Sequence, residues 1–101
     1  MRPAIFLDRD GVINENRLDY VKCWEEFHFL PGVMEALRRL SAGSRPVVVV
    51  TNQSVVGRGI ISPRMLARIH DRMLREVAEA GGRIDALYIC PHRPNDGCDC
   101  R

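Results

Sequence analysis

The run Pro46 to Val50 (PVVVV) is almost wholly β-branched and gives way at once to the polar Thr51. Branching at Cβ favours a pleated strand over a helix, and an uninterrupted apolar run predicts a strand buried on both faces. Ala4 to Leu7 repeats this pattern directly before Asp8, and Asp85 to Cys90 (DALYIC) is a third, weaker run of the same kind. Strands of this type belong to parallel sheets, whose connections need a crossover and usually a helix. Both helices are legible. In VMEALRRLSAG, opened by Pro31 and Gly32, the apolar residues Val33, Leu37 and Leu40 share one face and Gly43 marks the stop. Downstream, Ser62 is placed to cap a helix with Pro63 at its first position, and Leu66, Ile69, Met73, Val77 and Ala80 form an apolar stripe ended by Gly81 and Gly82. Arg72 with Glu76 and Arg75 with Glu79 are spaced for i,i+4 pairs on the outer face. Strand, helix, strand, helix, strand predicts an α/β layered fold with right-handed crossovers.

At 101 residues, this is one domain at most. A net charge of +2, with fourteen arginines scattered along the chain and Lys22 as the one lysine, argues against a nucleic-acid surface. No apolar run approaches the roughly 18 residues of a membrane span, and the start MRPAIFLDRDG lacks the apolar stretch of a secretory signal, so a cytoplasmic protein is expected. The segment from Asn14 to Leu30 carries Tyr20, Trp24, Phe27 and Phe29 without a clean period and is expected to be an irregular flap or hairpin.

In an open parallel sheet, ligands gather beyond the carboxyl ends of the strands. Here those positions are unusually polar: Asp8-Arg9-Asp10-Gly11 after the first strand, Thr51-Asn52-Gln53-Ser54 after the second, and Cys90 with His92 after the third. Two carboxylates at i and i+2 on a strand end can divide labour as nucleophile and general acid, while oxygens of the same turn coordinate Mg²⁺. Solvated turn residues are the plain alternative. Thr51, with the neighbouring Gln53 and Ser54, is placed to hold phosphoryl oxygens, and Arg9 and Arg58 to add charge-assisted contacts, against the alternative of a polar strand-to-loop turn. Gly57 and Gly59 permit close approach to a ligand or make a flexible loop.

Three of the four cysteines crowd into eleven residues beside His92. The spacing C-x-H, five residues, C-x-C offers Cys90, His92, Cys98 and Cys100 as a tetrahedral structural zinc site within residues 90–100. Cys23 is left over and reads as a buried structural thiol.

FLDRDGVIN, from Phe6 to Asn14, resembles the first motif of the haloacid dehalogenase superfamily phosphatases, and VVVTNQSVVGRG is similar to the second. With CPHRPNDGCDCR, from Cys90 to Arg101, the pattern resembles the heptose bisphosphate and histidinol-phosphate phosphatase group across essentially the whole chain. The resemblance implies a Rossmann-like parallel sheet with flanking helices. It makes Asp8 the nucleophile and a Mg²⁺ ligand, and Asp10 the general acid/base and a second ligand through its carbonyl. Thr51 and Asn52 would bind the phosphoryl group and substrate, Arg101 would help recognise the substrate, and Asn16 to Tyr20 would line the entrance. The substrate class implied is a sugar bisphosphate, first D-glycero-D-manno-heptose 1,7-bisphosphate, with histidinol phosphate as the second choice and a zinc-binding remnant without activity as the rival class. The family pattern continues past Arg101 with a Lys and a strand ending in an acidic residue, so the C-terminal part of the fold is expected to be missing. An uncovered sheet, self-association and little activity of the chain alone follow as expectations.

Overall fold

The computed structural model of the chain describes residues 3–90. Strands β1 (Ile5–Leu7), β2 (Val47–Asn52) and β3 (Ala86–Cys90) pair in parallel in the order β1-β2-β3. Ile5, Phe6 and Leu7 lie opposite Val47, Val48 and Val49, and Val48 to Asn52 lie opposite Ala86 to Cys90. Strand β2 runs on through Thr51 and Asn52 because β3 offers Ile89 and Cys90 as partners there.

Helix α1 (Val33–Ser41) starts after Gly32, whose φ of 80° favours glycine. A single turn, α2 (Ser54–Gly57), follows β2 and was not legible as a helix in the sequence. Helix α3 (Pro63–Glu79) begins as its sequence predicts: Ser62 Oγ accepts from the Met65 N–H at 3.1 Å, and proline fills the first position. Its buried stripe is Leu66, Ile69, Met73 and Val77, with His70 among them. On the outer face Arg72 pairs with Glu76 at 3.1 Å, whereas the expected Arg75 and Glu79 pair does not form.

Because β1, β2 and β3 step across the sheet in one direction, right-handed crossovers carry α1 and α3 to the same face. That face, with Ile5, Leu7, Val47, Val49 and Leu87, packs on Leu37 of α1 and on Ile69, Met73 and Val77 of α3. The expectation of strands buried on both faces is therefore corrected. On the opposite face Phe6 is 68% exposed, Val50 46% and Tyr88 62%.

The aromatic segment is a hairpin-like excursion rather than a free flap. Glu15 N–H donates to His28 O at 2.8 Å and Leu30 N–H to Ile13 O at 2.9 Å, closing its two ends. Trp24 stacks on Phe27 at 4.9 Å, Phe27 meets Phe29 edge-on at 5.1 Å, and Val21 and Phe27 enter the core beside Val49. Cys23, expected to be buried, is a free and only half-buried thiol. At the opposite end of the sheet Arg83 donates from Nη1 to Ser41 O, from Nη2 to Arg45 O and from Nε to Asp85 Oδ2, which also accepts the Val47 N–H at 2.7 Å. These contacts tie the end of α1 to the starts of β2 and β3.

Candidate active site

The first strand ends at Leu7, and Asp8 stands exposed just beyond it. The next residues fold into a tight turn in which Arg9 O accepts from the N–H groups of Val12, Ile13 and Asn14 at 3.1, 2.7 and 3.3 Å. Gly11 supplies the φ of 83° that this turn requires, and Ile13, with no exposure, pins it into the core. The turn sets Asp10 at the centre of a hydrogen-bond cluster. Its Oδ1 accepts from Arg9 Nη2 at 2.6 Å, Arg9 Nε at 3.1 Å and Asn14 Nδ2 at 3.0 Å. Its Oδ2 accepts from Gln53 Nε2 at 2.7 Å. The side chain keeps 28% exposure, toward a cavity.

Arg9 corrects the expectation of a phosphate contact. Its side chain is buried, with the guanidinium committed to Asp10, to His70 Nε2 at 3.0 Å and to the face of Phe27 at 5.6 Å. Arginine has no acceptor, so His70 Nε2 must be the acceptor and Nδ1 must carry the ring hydrogen. Burial, and then repulsion by Arg9, push the His70 pKa down to about 4, against a smaller opposing pull from Asp10. The imidazole is neutral at pH 7.

Just past the second strand, Gln53 reaches both Asp10 and Thr51 Oγ1, the latter at 2.9 Å, while its own N–H donates to Cys90 O at 2.7 Å. One side chain thus joins the ends of β1 and β2. Asp10, Asn16, Tyr20, Asn52 and Gln53, all expected site residues, line a polar cavity of about 180 Å³ beyond the carboxyl ends of these strands. Arg17, inside the segment 16–20 expected at the entrance, also lines it, as does Val21, which was not singled out in the sequence. Arg17 bonds to Asp19 at 3.0 Å and to Glu26 at 3.2 Å, so its charge is matched within its own segment. Tyr20 adopts φ 68°, a left-handed conformation that costs a non-glycine residue roughly 1–3 kcal/mol and that clusters at functional sites. Thr51 is buried behind the cavity, and Ser54 and Arg58 lie outside its lining, with Arg58 Nε 3.4 Å from Ser54 Oγ. His70 and Asn14 are the partners that sequence reasoning missed. The one signal for His70 was a polar residue inside the apolar stripe of α3.

Of the expected zinc ligands, Cys90 closes β3, is 3% exposed and is not a free thiol. His92, Cys98, Cys100 and the expected substrate contact Arg101 lie outside the described residues. Among the described residues, no group of three or more His, Cys, Asp or Glu side chains gathers closely enough to hold a metal. No described helix is long and apolar enough to cross a membrane.

No family model matches the chain. Curated relatives do. The chain is 46% identical over 97 residues to the D-glycero-β-D-manno-heptose-1,7-bisphosphate 7-phosphatase of Bordetella bronchiseptica, covering 96% of this chain and 54% of that protein. It is 44% identical over 99 residues to the corresponding α-anomer enzyme of Mycobacterium tuberculosis, covering 97% and 52%. A crystal structure of the D,D-heptose 1,7-bisphosphate phosphatase from B. bronchiseptica, complexed with magnesium and phosphate, matches all of this chain and 56% of its own with a TM-score of 0.94. The chain spans about half the length of the curated relatives it matches.

Proposed function

We propose that this chain, which belongs by sequence and by fold with the haloacid dehalogenase-type phosphatases, forms part of one domain that hydrolyses a phosphate ester of a sugar bisphosphate. The observation that carries this reading is the placement of Asp10: a carboxylate held by Arg9, Asn14 and Gln53 at the mouth of a polar cavity, two residues past the exposed Asp8 at a strand end. Relatives named for the C7 phosphate of D-glycero-D-manno-heptose 1,7-bisphosphate favour that substrate over histidinol phosphate. Relatives of both anomers match at 46% and 44% identity, so identity alone does not select the anomer.

In this reading an Asp8 carboxylate oxygen attacks phosphorus, the bond from phosphorus to the sugar oxygen breaks, and the leaving oxygen takes a proton from the Asp10 carboxyl. Water then attacks the aspartyl phosphate and returns its proton to Asp10. Phosphate leaves and both carboxyl groups are restored. The donor set fits magnesium, since the exposed Asp8 carboxylate and the Asp10 main-chain carbonyl are hard oxygen ligands. Bound magnesium supplies the charge neutralisation that an anion attacking a phosphate dianion needs. Gln53 presents its amide to the Thr51 hydroxyl oxygen, which leaves that hydroxyl its own proton to donate to a phosphoryl oxygen. Asn16, Tyr20 and Asn52 are the substrate contacts of the cavity, and Ser54, Arg58 and Arg101 the further anion contacts.

The direct test is trapping of the phosphoenzyme with Mg²⁺ and a sugar bisphosphate. Asp8→Asn is expected to abolish it, because an amide is no nucleophile at phosphorus. Asp10→Asn should slow turnover by about 10² to 10⁴, the usual worth of a positioned acid or base. Turnover of Asp8→Asn near that of the parent would sink the reading.

The structural zinc ion belongs to the same proposal, on the chemistry of its donors once reduced: three cysteine thiolates and an imidazole would close a tetrahedral site and leave no position for activated water. Zinc content near one per chain under reducing conditions, lost in Cys98→Ser, is the expected result. Unchanged content in that variant would rule out this ligand set. A cytoplasmic location is part of the same proposal, because a charged sugar bisphosphate does not cross membranes and the enzyme must share the compartment in which it is made. Contact between copies through the open sheet face completes the proposal.

A further inference from the structure

We propose that His70 is a positioning residue for proton transfer: by accepting from Arg9 Nη1 it fixes the guanidinium so that Nε and Nη2 both engage Asp10 Oδ1, leaving Oδ2 to carry the proton. This rests on Asp10 as the general acid/base. The two carboxylate oxygens are not equivalent. Oδ1 receives three donors, two from Arg9 and one from Asn14, and its lone pairs are fully used. Oδ2 receives Gln53 alone and keeps a lone pair for substrate or water. That asymmetry depends on the angle of the guanidinium plane. A bidentate arginine turned slightly would place one donor on each oxygen, the commoner fork geometry, and occupy Oδ2 as well.

His70 is what fixes the plane from behind. It reaches Arg9 from α3, 61 positions along the chain, and among the described residues it is the acceptor for Nη1. The Phe27 ring lies against the same guanidinium, 5.6 Å from its central carbon, and offers it no acceptor atom. Packing alone would be served better by leucine or methionine, since Leu66, Ile69, Met73 and Val77 make up the rest of the stripe and a buried imidazole carries a desolvation cost. The depressed pKa agrees with this role, because a protonated imidazole has no lone pair to offer a guanidinium.

The experiment compares His70→Gln, whose amide oxygen reaches about as far as Nε2, with His70→Met, which keeps the bulk and removes the acceptor. Two readouts are taken on the full chain. The first is the ¹⁵N–¹H NMR of the Arg9 side chain, identified by its loss in Arg9→Lys. Separate, slowly exchanging Nη signals are expected in the parent and in His70→Gln, and averaged or absent signals in His70→Met. This arm needs no turnover. The second is hydrolysis of p-nitrophenyl phosphate with Mg²⁺. His70→Met should lower kcat by about 10- to 100-fold with KM changed less than about threefold, the scale of loss that follows from small misplacement of a reacting group. His70→Gln should restore most of that loss. Unchanged Arg9 signals in His70→Met overturn the proposal, as does an equal fall of kcat in both variants. If Asp10→Asn also retains full turnover, the assignment of Asp10 has failed, while the Arg9 signals still report on His70.

Discussion

Arg9 carries a permanent charge at a position with no exposure, and among the described residues the carboxylate that pairs with its guanidinium is Asp10. Removing one member of a buried pair is expensive because it strands the other, so Asp10 serves the stability of the turn as well as the chemistry. The motif DRDG was legible as a site, but the division of labour inside it was not. An arginine between two aspartates reads as a ligand for phosphate until the fold places Phe27 and His70 around it. His70 gives this network a pH signature. Its folded pKa of about 4 lies below the ordinary 6.5, so below pH 6.5 the unfolded chain takes up the proton more readily than the folded one. Its contribution is therefore constant above pH 6.5 and falls as the pH drops toward 4. Between pH 7.5 and 5 the loss should be about 2 kcal/mol from this residue. Arg9 and Asp10 are the charged groups facing it, and they remain in place in His70→Gln. Urea melts at the two pH values should diverge for the parent and the variant. Parallel pH dependence in both would show that His70 does not titrate in this way.

The elements differ in how far local sequence defines them. Helix α3 was legible to its first residue because Ser62 and Pro63 act locally, and Ser62→Ala is expected to cost about 1 kcal/mol of stability in a denaturant melt. Strand β2 was legible from β-branching alone. The segment 14–30 was not, since its order comes from Trp24, Phe27 and Phe29 packing on one another and on distant Val49, which leaves no period in the sequence. Two glycines make a test of element packing. A Cβ on Gly82 would stand 2.9 Å from Val77 Cγ1 and 3.3 Å from Leu37 Cβ, where the end of α3 crosses α1, whereas one on Gly43 would meet only Leu40 O at 3.6 Å. Gly82→Ala should therefore destabilise the chain by about 1–3 kcal/mol, the usual range for overpacking. Gly43→Ala should be near neutral. Similar melts for the two variants would mean that the crossing yields more readily than these distances imply.

At the scale of the whole molecule, the one-sided placement of the helices decides how the chain behaves in solution. Phe6, Val50 and Tyr88 point to the face that no described helix covers, and the register of β1, β2 and β3 sets Phe6 beside Val48 and Val50 beside Tyr88 in a single apolar patch. A second apolar surface, a groove of about 270 Å³ lined by Leu7, Leu30, Val33, Ala36 and Leu40, runs along α1 beside β1. The outer edge of β1 has no strand partner among the described residues. Apolar patches of this kind favour contact between copies. They are small, however. A stable interface buries about 1,200–2,000 Å² in total, more than three side chains on each of two copies supply, so the association should be weak and concentration-dependent. Sedimentation velocity is expected to give a monomer at low micromolar concentration and larger species at hundreds of micromolar. The double variant Phe6→Thr with Val50→Thr should move this onset to higher concentration. Its effect on stability should be small, since both side chains already face solvent and threonine suits a strand. If the parent stays monomeric throughout, or the double variant associates as readily, the open face is not the surface through which copies meet.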